Sequence, residues 1–161
     1  DRIALVGRNG CGKSSLLKLL IGQPIAHTGT LEIGSRLTVS YVPQDMSFLS
    51  GSADDFAAES EIDITLFKTI LRKLDFKRTQ FTKDMSEFSM GQKKKVLLAR
   101  SLCQRANLYI WDEPLNYIDV ISRLQIETLI LEYKPTMLFV EHDEAFVNDI
   151  ATKVCRISLN Q

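Results

Sequence analysis

Eight consecutive residues constrain this chain more than any other stretch of it. Gly7-Arg8-Asn9-Gly10-Cys11-Gly12-Lys13-Ser14 fits the pattern G-x-x-x-x-G-K-[ST]. An apolar run, Ile3-Ala4-Leu5-Val6, leads into it, so Arg2 to Val6 reads as a buried strand. Lys13 to Ile21 reads as the helix that follows, with Leu16, Leu17, Leu20 and Ile21 on one side. Strand, glycine-rich turn and helix are the setting such a loop needs. Glycines let the backbone turn tightly with its N–H groups inward, and the helix N-terminus adds positive dipole, so the segment is built for phosphate. Lys13 can reach β- and γ-phosphates, the Ser14 hydroxyl can ligate Mg²⁺, and Ser15 extends the donor set. A chance match in a chain of this length is on the order of half a percent.

The rest of the chain reads as strands and helices in alternation. Leu31-Glu32-Ile33 and Thr38 to Val42 are expected as short strands about a turn at Gly34-Ser35. From Asp45 to about Phe81 strand signal is sparse, and Ile62, Leu66, Ile70 and Leu74 recur at four-residue steps, one stripe of a helix. A further helix starts near Gly91 and carries Val96, Leu97, Ala99, Leu102 and Cys103. Leu108 to Trp111, Thr136 to Val140 and Val154 to Leu159 are expected strands. Helices Asp119 to Tyr133 and Glu144 to Ile150 lie between them, with Asp119 and Asp143 as caps. Such alternation predicts an α/β fold with a mostly parallel sheet and an inserted helical piece.

Composition narrows the function classes. The 161 residues carry 20 Lys+Arg against 20 Asp+Glu, 45% hydrophobic and 25% charged. That is the profile of an ordinary globular domain. No run approaches the ~18 uninterrupted apolar residues of a membrane span. No secretory leader is evident, and an opening in the middle of a core strand suggests a piece of a longer protein. A neutral chain is not expected to grip nucleic acid with a whole face. Cys11, Cys103 and Cys155 are odd in number and lack CxxC spacing, and only His27 and His142 accompany them. Reduced cytoplasmic thiols are therefore expected, and no zinc site.

A second acidic element should stand at the end of another strand. Leu108-Tyr109-Ile110-Trp111-Asp112-Glu113 supplies it: Asp112 would hold Mg²⁺ and Glu113 would act as general base on water. Trp111 sits inside the strand and is assigned to the core. Lys93-Lys94-Lys95 is read as a solvated helix face, the usual fate of a charge run.

Further pieces follow in a fixed order: Gln44 in Tyr41-Val42-Pro43-Gln44, Phe88-Ser89-Met90-Gly91-Gln92, Asn116-Tyr117-Ile118-Asp119, and His142 in Val140-Glu141-His142-Asp143. With the phosphate loop, they resemble the ATP-binding cassette (ABC) family: its Q-loop, Leu-Ser-Gly-Gly-Gln signature, D-loop and switch histidine. The resemblance implies a P-loop ABC nucleotide-binding domain trimmed at its front. Its α/β core with part of the β-subdomain would be 1–44 and 91–161, and 45–90 its helical subdomain. It also implies ATP and Mg²⁺ as ligands. Gly7, Arg8, Asn9, Gly10, Cys11, Gly12, Lys13, Ser14 and Ser15 would hold the phosphates. Ser14, Gln44 and Asp112 would hold the metal, and Glu113, His142 and Gln44 would carry catalysis. Two cassettes would pack head to tail, so that Ser89, Gly91 and Gln92 contact nucleotide on the partner cassette.

Two departures stand out. Met90 replaces the signature's first glycine, where a β-carbon would restrict φ and slow hydrolysis. The family's adenine-stacking aromatic lies upstream of the phosphate-loop strand and is absent here.

Local wording points further. Glu113-Pro114-Leu115-Asn116-Tyr117-Ile118-Asp119 is close to the E-P-T-N-H-L-D of ABC-F proteins, and with residues 88–96 it resembles the second cassette of Vga/Lsa-type antibiotic-resistance proteins. That resemblance implies a cytoplasmic, ribosome-associated protein with two cassettes and no membrane domain. Two alternatives stay open: the ATPase subunit of an ABC transporter, and an ATP-gated clamp with little turnover.

Overall fold

A computed structural model describes residues 1–158. Five parallel strands form its sheet: β1 (Arg2–Val6), β2 (Val39–Val42), β3 (Leu108–Asp112), β4 (Met137–Val140) and β5 (Lys153–Arg156), in the order β2-β3-β4-β1-β5. Six α-helices accompany them: α1 (Lys13–Leu20), α2 (Ala53–Glu59), α3 (Ile64–Lys73), α4 (Met90–Cys103), α5 (Val120–Tyr133) and α6 (Glu144–Ile150). Parallel neighbours need crossovers, and the helices supply them.

The pleat divides the core. Successive residues of a strand point to opposite faces. Leu5, Ile110 and Val140 pack with Leu17 of α1 on one face. Their neighbours Ala4, Trp111 and Phe139 join the larger cluster on the other, with Val96 and Leu97 of α4, Ile126 and Ile130 of α5 and Phe146 of α6. Phe67 and Ile70 of α3 belong to that same cluster, so α2 and α3 share their apolar contacts with the sheet's helices. Trp111 is buried as expected, its indole N–H donating to the Ser101 hydroxyl at 2.9 Å.

Five of the six helices begin on a side-chain cap. Ser52, Asp63, Ser89, Asp119 and Asp143 each accept a backbone N–H from the first turn of α2, α3, α4, α5 and α6. At α4 the cap is reciprocal, because the Gln92 side chain reaches back to the Ser89 N–H. The Arg123 guanidinium on α5 clasps both oxygens of Asp143 (2.7 and 2.9 Å) and bonds Glu127, tying α5 to the start of α6.

Four expectations are corrected. Leu31-Glu32-Ile33 is not a strand: all three residues are exposed and no described strand lies beside them to complete a ladder. The buried stripe of α3 is Phe67, Ile70, Leu71 and Leu74, the i, i+3, i+4, i+7 pattern, whereas Leu66 faces outward and Ile62 precedes the helix. β5 ends at Arg156, so Ile157 and Ser158 do not continue the expected strand, and its last residue, Leu159, lies outside the described residues. Lys94 and Lys95 are not a solvated face. Both are buried, because the positions after Gln92 on α4 turn under the loops that carry the acidic residues.

Candidate functional site

Strand register brings the site together. β2 and β3 pair with Val42 opposite Trp111, so Gln44 and Glu113, each two residues further on, emerge side by side. β3 and β4 pair with Asp112 opposite Val140, and the Glu113 N–H continues the ladder to the Val140 carbonyl at 2.9 Å, which puts Glu113 beside His142. β1 lies against β4 and ends at Val6, where the glycine-rich loop begins. Four loops thus converge at the carboxyl ends of neighbouring strands, where open α/β sheets hold ligands.

Asn9, Gly10, Gly12, Lys13, Ser14, Ser15, Gln44, Glu113 and His142 line one cleft of about 520 Å³. Gly10 and Gly12 have φ of +78° and +94°, left-handed values that favour glycine. Gly12 is the N-cap of α1 and offers no side chain, so the first N–H groups of the helix have no side-chain acceptor. The Lys13 ammonium is held by the carbonyls of Gly7 and Arg8 at 2.9 and 3.0 Å, aimed into the loop. Free N–H groups and a fixed ammonium in one ring fit a polyphosphate. Gly7 is required by close approach: a β-carbon there would stand 2.6 Å from the Ile157 carbonyl oxygen and 2.8 Å from Cys11 Sγ. Cys11 turns its thiol inward, and its N–H donates to the Arg8 carbonyl within the loop. Arg8 is exposed at the rim, in a neighbouring groove shared with Lys13 and His142.

The Glu113 carboxylate is gripped from three sides. Gln44 Nε2 donates to its Oε2 at 3.0 Å, Asn116 Nδ2 donates to the same oxygen, and His142 Nε2 lies 3.3 Å from Oε1. Glu113 itself has φ of +50° and Tyr117 φ of +66°, unusual values for residues with side chains. Asp112 is buried, and neither of its carboxylate oxygens has a hydrogen-bond partner among the described residues. Burial, opposed by the neighbouring Ser14 hydroxyl and reinforced by the charge of Glu113, pushes its carboxyl above the ordinary carboxylate value. Asp112 shares a second pocket with Ser14 and Gln44. An orphaned buried carboxylate beside a hydroxyl and an amide oxygen fits a hard divalent cation such as Mg²⁺.

Beneath this acidic group lies Lys94, 0% exposed, its ammonium donating to the Pro43 carbonyl at 3.3 Å. Burial lowers its proton affinity, and the charges of Asp112, Glu113 and Glu141 oppose that shift. Lys95 pairs with Asp119 at 2.7 Å. Cys103 is half-buried on α4, where burial raises its thiol to about 11 and leaves it unreactive.

Ser89, Gly91 and Gln92 do not line the Lys13 cleft. They form the first turn of α4, where a β-carbon on Gly91 would meet the Tyr117 carbonyl oxygen at 2.6 Å. Met90 is the first residue of α4, with a side chain 44% exposed. It is not among the positive-φ residues, so its β-carbon places no restraint on the backbone there.

Sequence reasoning did not assign three residues of this neighbourhood. Asn116 was visible only as part of the D-loop match, and Lys94 was hidden in a charge run. Glu141 stood beside His142 with nothing to distinguish it from a solvated carboxylate.

The family profile described as ABC transporter matches residues 1–116. The chain is 37% identical over 165 residues to "Putative ATP-binding protein YdiF" of Bacillus subtilis, covering 98% of this chain and 25% of that protein. It is 29% identical over 163 residues to "ABC transporter F family member 2" of Arabidopsis thaliana, covering 98% and 24%. Among solved structures, the archaeal ribosome recycling factor aABCE1, in complex with the ribosomal stalk protein aP1, superposes with a TM-score of 0.78. The identity is 27%, covering 97% of this chain and 31% of that one. The chain therefore spans about a quarter of the length of the curated relatives it matches.

Proposed function

The chain belongs to the ABC transporter family, whose ATP-binding domains are ATPases, and from that premise we propose that it is one cassette of an ABC-F protein that acts on the ribosome. The observation that carries the catalytic part is the Glu113 carboxylate, held by Gln44, Asn116 and His142 at the mouth of the Lys13 cleft. In this reading the loop N–H groups from Asn9 to Ser15 and the Lys13 ammonium bind the triphosphate. Ser14, Gln44 and Asp112 would hold Mg²⁺, which would supply charge neutralisation to the bound triphosphate. Glu113 takes a proton from the attacking water, and Gln44 and Asn116 fix the carboxylate that receives it. His142 contacts the γ-phosphate.

The cassette works in a head-to-tail pair with a second one. Ser89, Gly91 and Gln92, at the start of a 14-residue helix and away from the chain's own cleft, then complete the partner's site. Residues 1–44 and 91–161 serve as the α/β core and 45–90 as a helical subdomain. The ABC-F assignment is supported by the F-family relative and by the wording of residues 113–119, and ribosome action by the ribosome recycling factor among the solved structures. No helix among the described residues is long and apolar enough to cross a membrane. The resistance reading, protection of the ribosome from antibiotics as in Vga/Lsa-type proteins, is the finest form of the proposal.

The test is Glu113→Gln in the full-length protein, with ribosome co-sedimentation in ATP. Turnover should vanish while ATP binding persists, and a ribosome complex should accumulate. An ATP-bound, hydrolysis-dead protein that never sediments with ribosomes overturns the ribosome reading. If Glu113→Gln hydrolyses ATP at the wild-type rate, Glu113 is not the base.

A further inference from the structure

Glu141 is 6% exposed, and both oxygens of its carboxylate accept backbone N–H groups. One oxygen, Oε1, accepts the backbone N–H of His142 at 2.8 Å and of Asp143 at 3.3 Å. The other, Oε2, accepts the N–H of Leu115 at 3.1 Å. The side chain therefore joins two loops beyond the last ladder bond between them, Glu113 N–H to the Val140 carbonyl: the 113–119 loop that begins with Glu113, and the loop after β4 that carries His142. Those two residues approach each other at 3.3 Å. Only a carboxylate presents acceptors on both oxygens, and its charge strengthens all three bonds. The charge of Glu141 in turn favours the charged form of the buried Lys94 ammonium on α4.

We propose that Glu141 is a positioning residue that sets the spacing between Glu113 and His142, and so couples the general base to the γ-phosphate contact. It rests on the reading of Glu113 as the base. Glu141 touches neither water nor nucleotide in this scheme; it acts by holding the Leu115 and His142 amides at a fixed separation. Loss of the strut lets the two loops drift, and displacements near 1 Å from productive geometry lower rates about 10²-fold. Nucleotide affinity, set by the loop from Gly7 to Ser15, should be untouched.

The experiment uses the full-length protein with Glu141→Gln and Glu141→Asp, each alone and combined with His142→Ala, alongside Glu113→Gln. Glutamine keeps the shape but must turn an NH₂ toward one loop's N–H, so that loop is released. Aspartate keeps the charge but is one methylene too short to reach both loops. For each variant kcat is measured together with the Kd for ATP by fluorescent-nucleotide competition. The expected result is a fall in kcat of about 10- to 100-fold for both single variants, a Kd within about threefold of wild type, and no further fall on adding Glu141→Gln to His142→Ala. Unchanged Kd and thermal midpoint establish that the variants are folded. Wild-type kcat in either single variant, with Glu113→Gln inactive, overturns the Glu141 role and leaves the base intact. Losses that multiply in the double variant, or a Kd that weakens in step with kcat, overturn it too. Turnover retained by Glu113→Gln overturns the base assignment and Glu141's role together.

Discussion

Asp119 bears three bonds at the junction of the 113–119 loop and α5, so its truncation reports on how that loop is anchored. Oδ1 accepts the Ser122 N–H at 2.8 Å and caps the helix, and Oδ2 lies 2.7 Å from the ammonium of Lys95. The Ser122 hydroxyl adds a third bond at 2.8 Å. Loss of an N-cap costs about 1 kcal/mol. The Lys95 side chain is 11% exposed and would be left as a buried ammonium without its carboxylate, but Asp119 is 47% exposed, so water screens part of that pair. A further contribution of about 1–2 kcal/mol follows, well short of the 3–5 kcal/mol for a fully buried pair. Asp119→Ala should therefore lose roughly 2–3 kcal/mol in urea unfolding, or ~4–12 °C in Tm for a domain of this size. Asp119→Asn keeps a capping acceptor and should lose about half as much. Acid supplies the cross-check. Burial works to raise the Asp119 carboxyl, but the Lys95 ammonium and the Ser122 donors outweigh it and hold it well below the ordinary carboxylate range. A depressed carboxyl contributes stability that is complete above about pH 4 and is lost as pH falls through the folded value. The wild-type protein should lose stability below about pH 4 more steeply than Asp119→Ala. Equal losses in the alanine and asparagine variants, or a loss in both below about 0.5 kcal/mol, would refute the reasoning.

Gly91→Ala places a β-carbon against the Tyr117 carbonyl oxygen; the loop must move, with a loss of about 1–3 kcal/mol in chemical unfolding and lowered ATP turnover in the full-length protein. Met90→Gly leaves the backbone of α4 with a poorer helix former, lowering stability by up to about 1 kcal/mol. It also removes the exposed thioether from the start of the signature helix, so steady-state kcat should rise. An unchanged kcat would mean that, in the proposed head-to-tail pair, the Met90 side chain does not obstruct the nucleotide of the second cassette.

The sheet and the phosphate loop were legible because their signals are local: apolar runs of strand length, and glycines at positions where φ is positive. Asp119 and Asp143 cap helices and Trp111 packs in the core, consequences of side-chain chemistry within a few residues. What local pattern could not convey is which charges are buried. Lys94 and Glu141 look like any other charged residues until register sets β2, β3 and β4 side by side and stacks their loops above α4. Leu31 to Ile33 failed for the opposite reason. The run has strand composition, yet a strand exists only with a neighbour to pair with, and pairing is not written within the segment itself. The α3 stripe was read at uniform four-residue steps, where the helix buries Phe67, Ile70, Leu71 and Leu74 and drifts off a strict repeat.

The left-handed backbone at Glu113 sets two demands against each other at one position. A φ of +50° is a conformation that glycine adopts freely and that a side chain holds at a cost of roughly 1–3 kcal/mol. Folding alone would therefore favour glycine there, while the proton transfer proposed for Glu113 needs the carboxylate. Any lineage or laboratory screen that rewards robustness without rewarding turnover would tend to erase the residue. Persistence of glutamate at 113 across close relatives would thus be a record of selection for hydrolysis itself. A glycine in its place would mark a cassette that has kept its architecture and retired its chemistry.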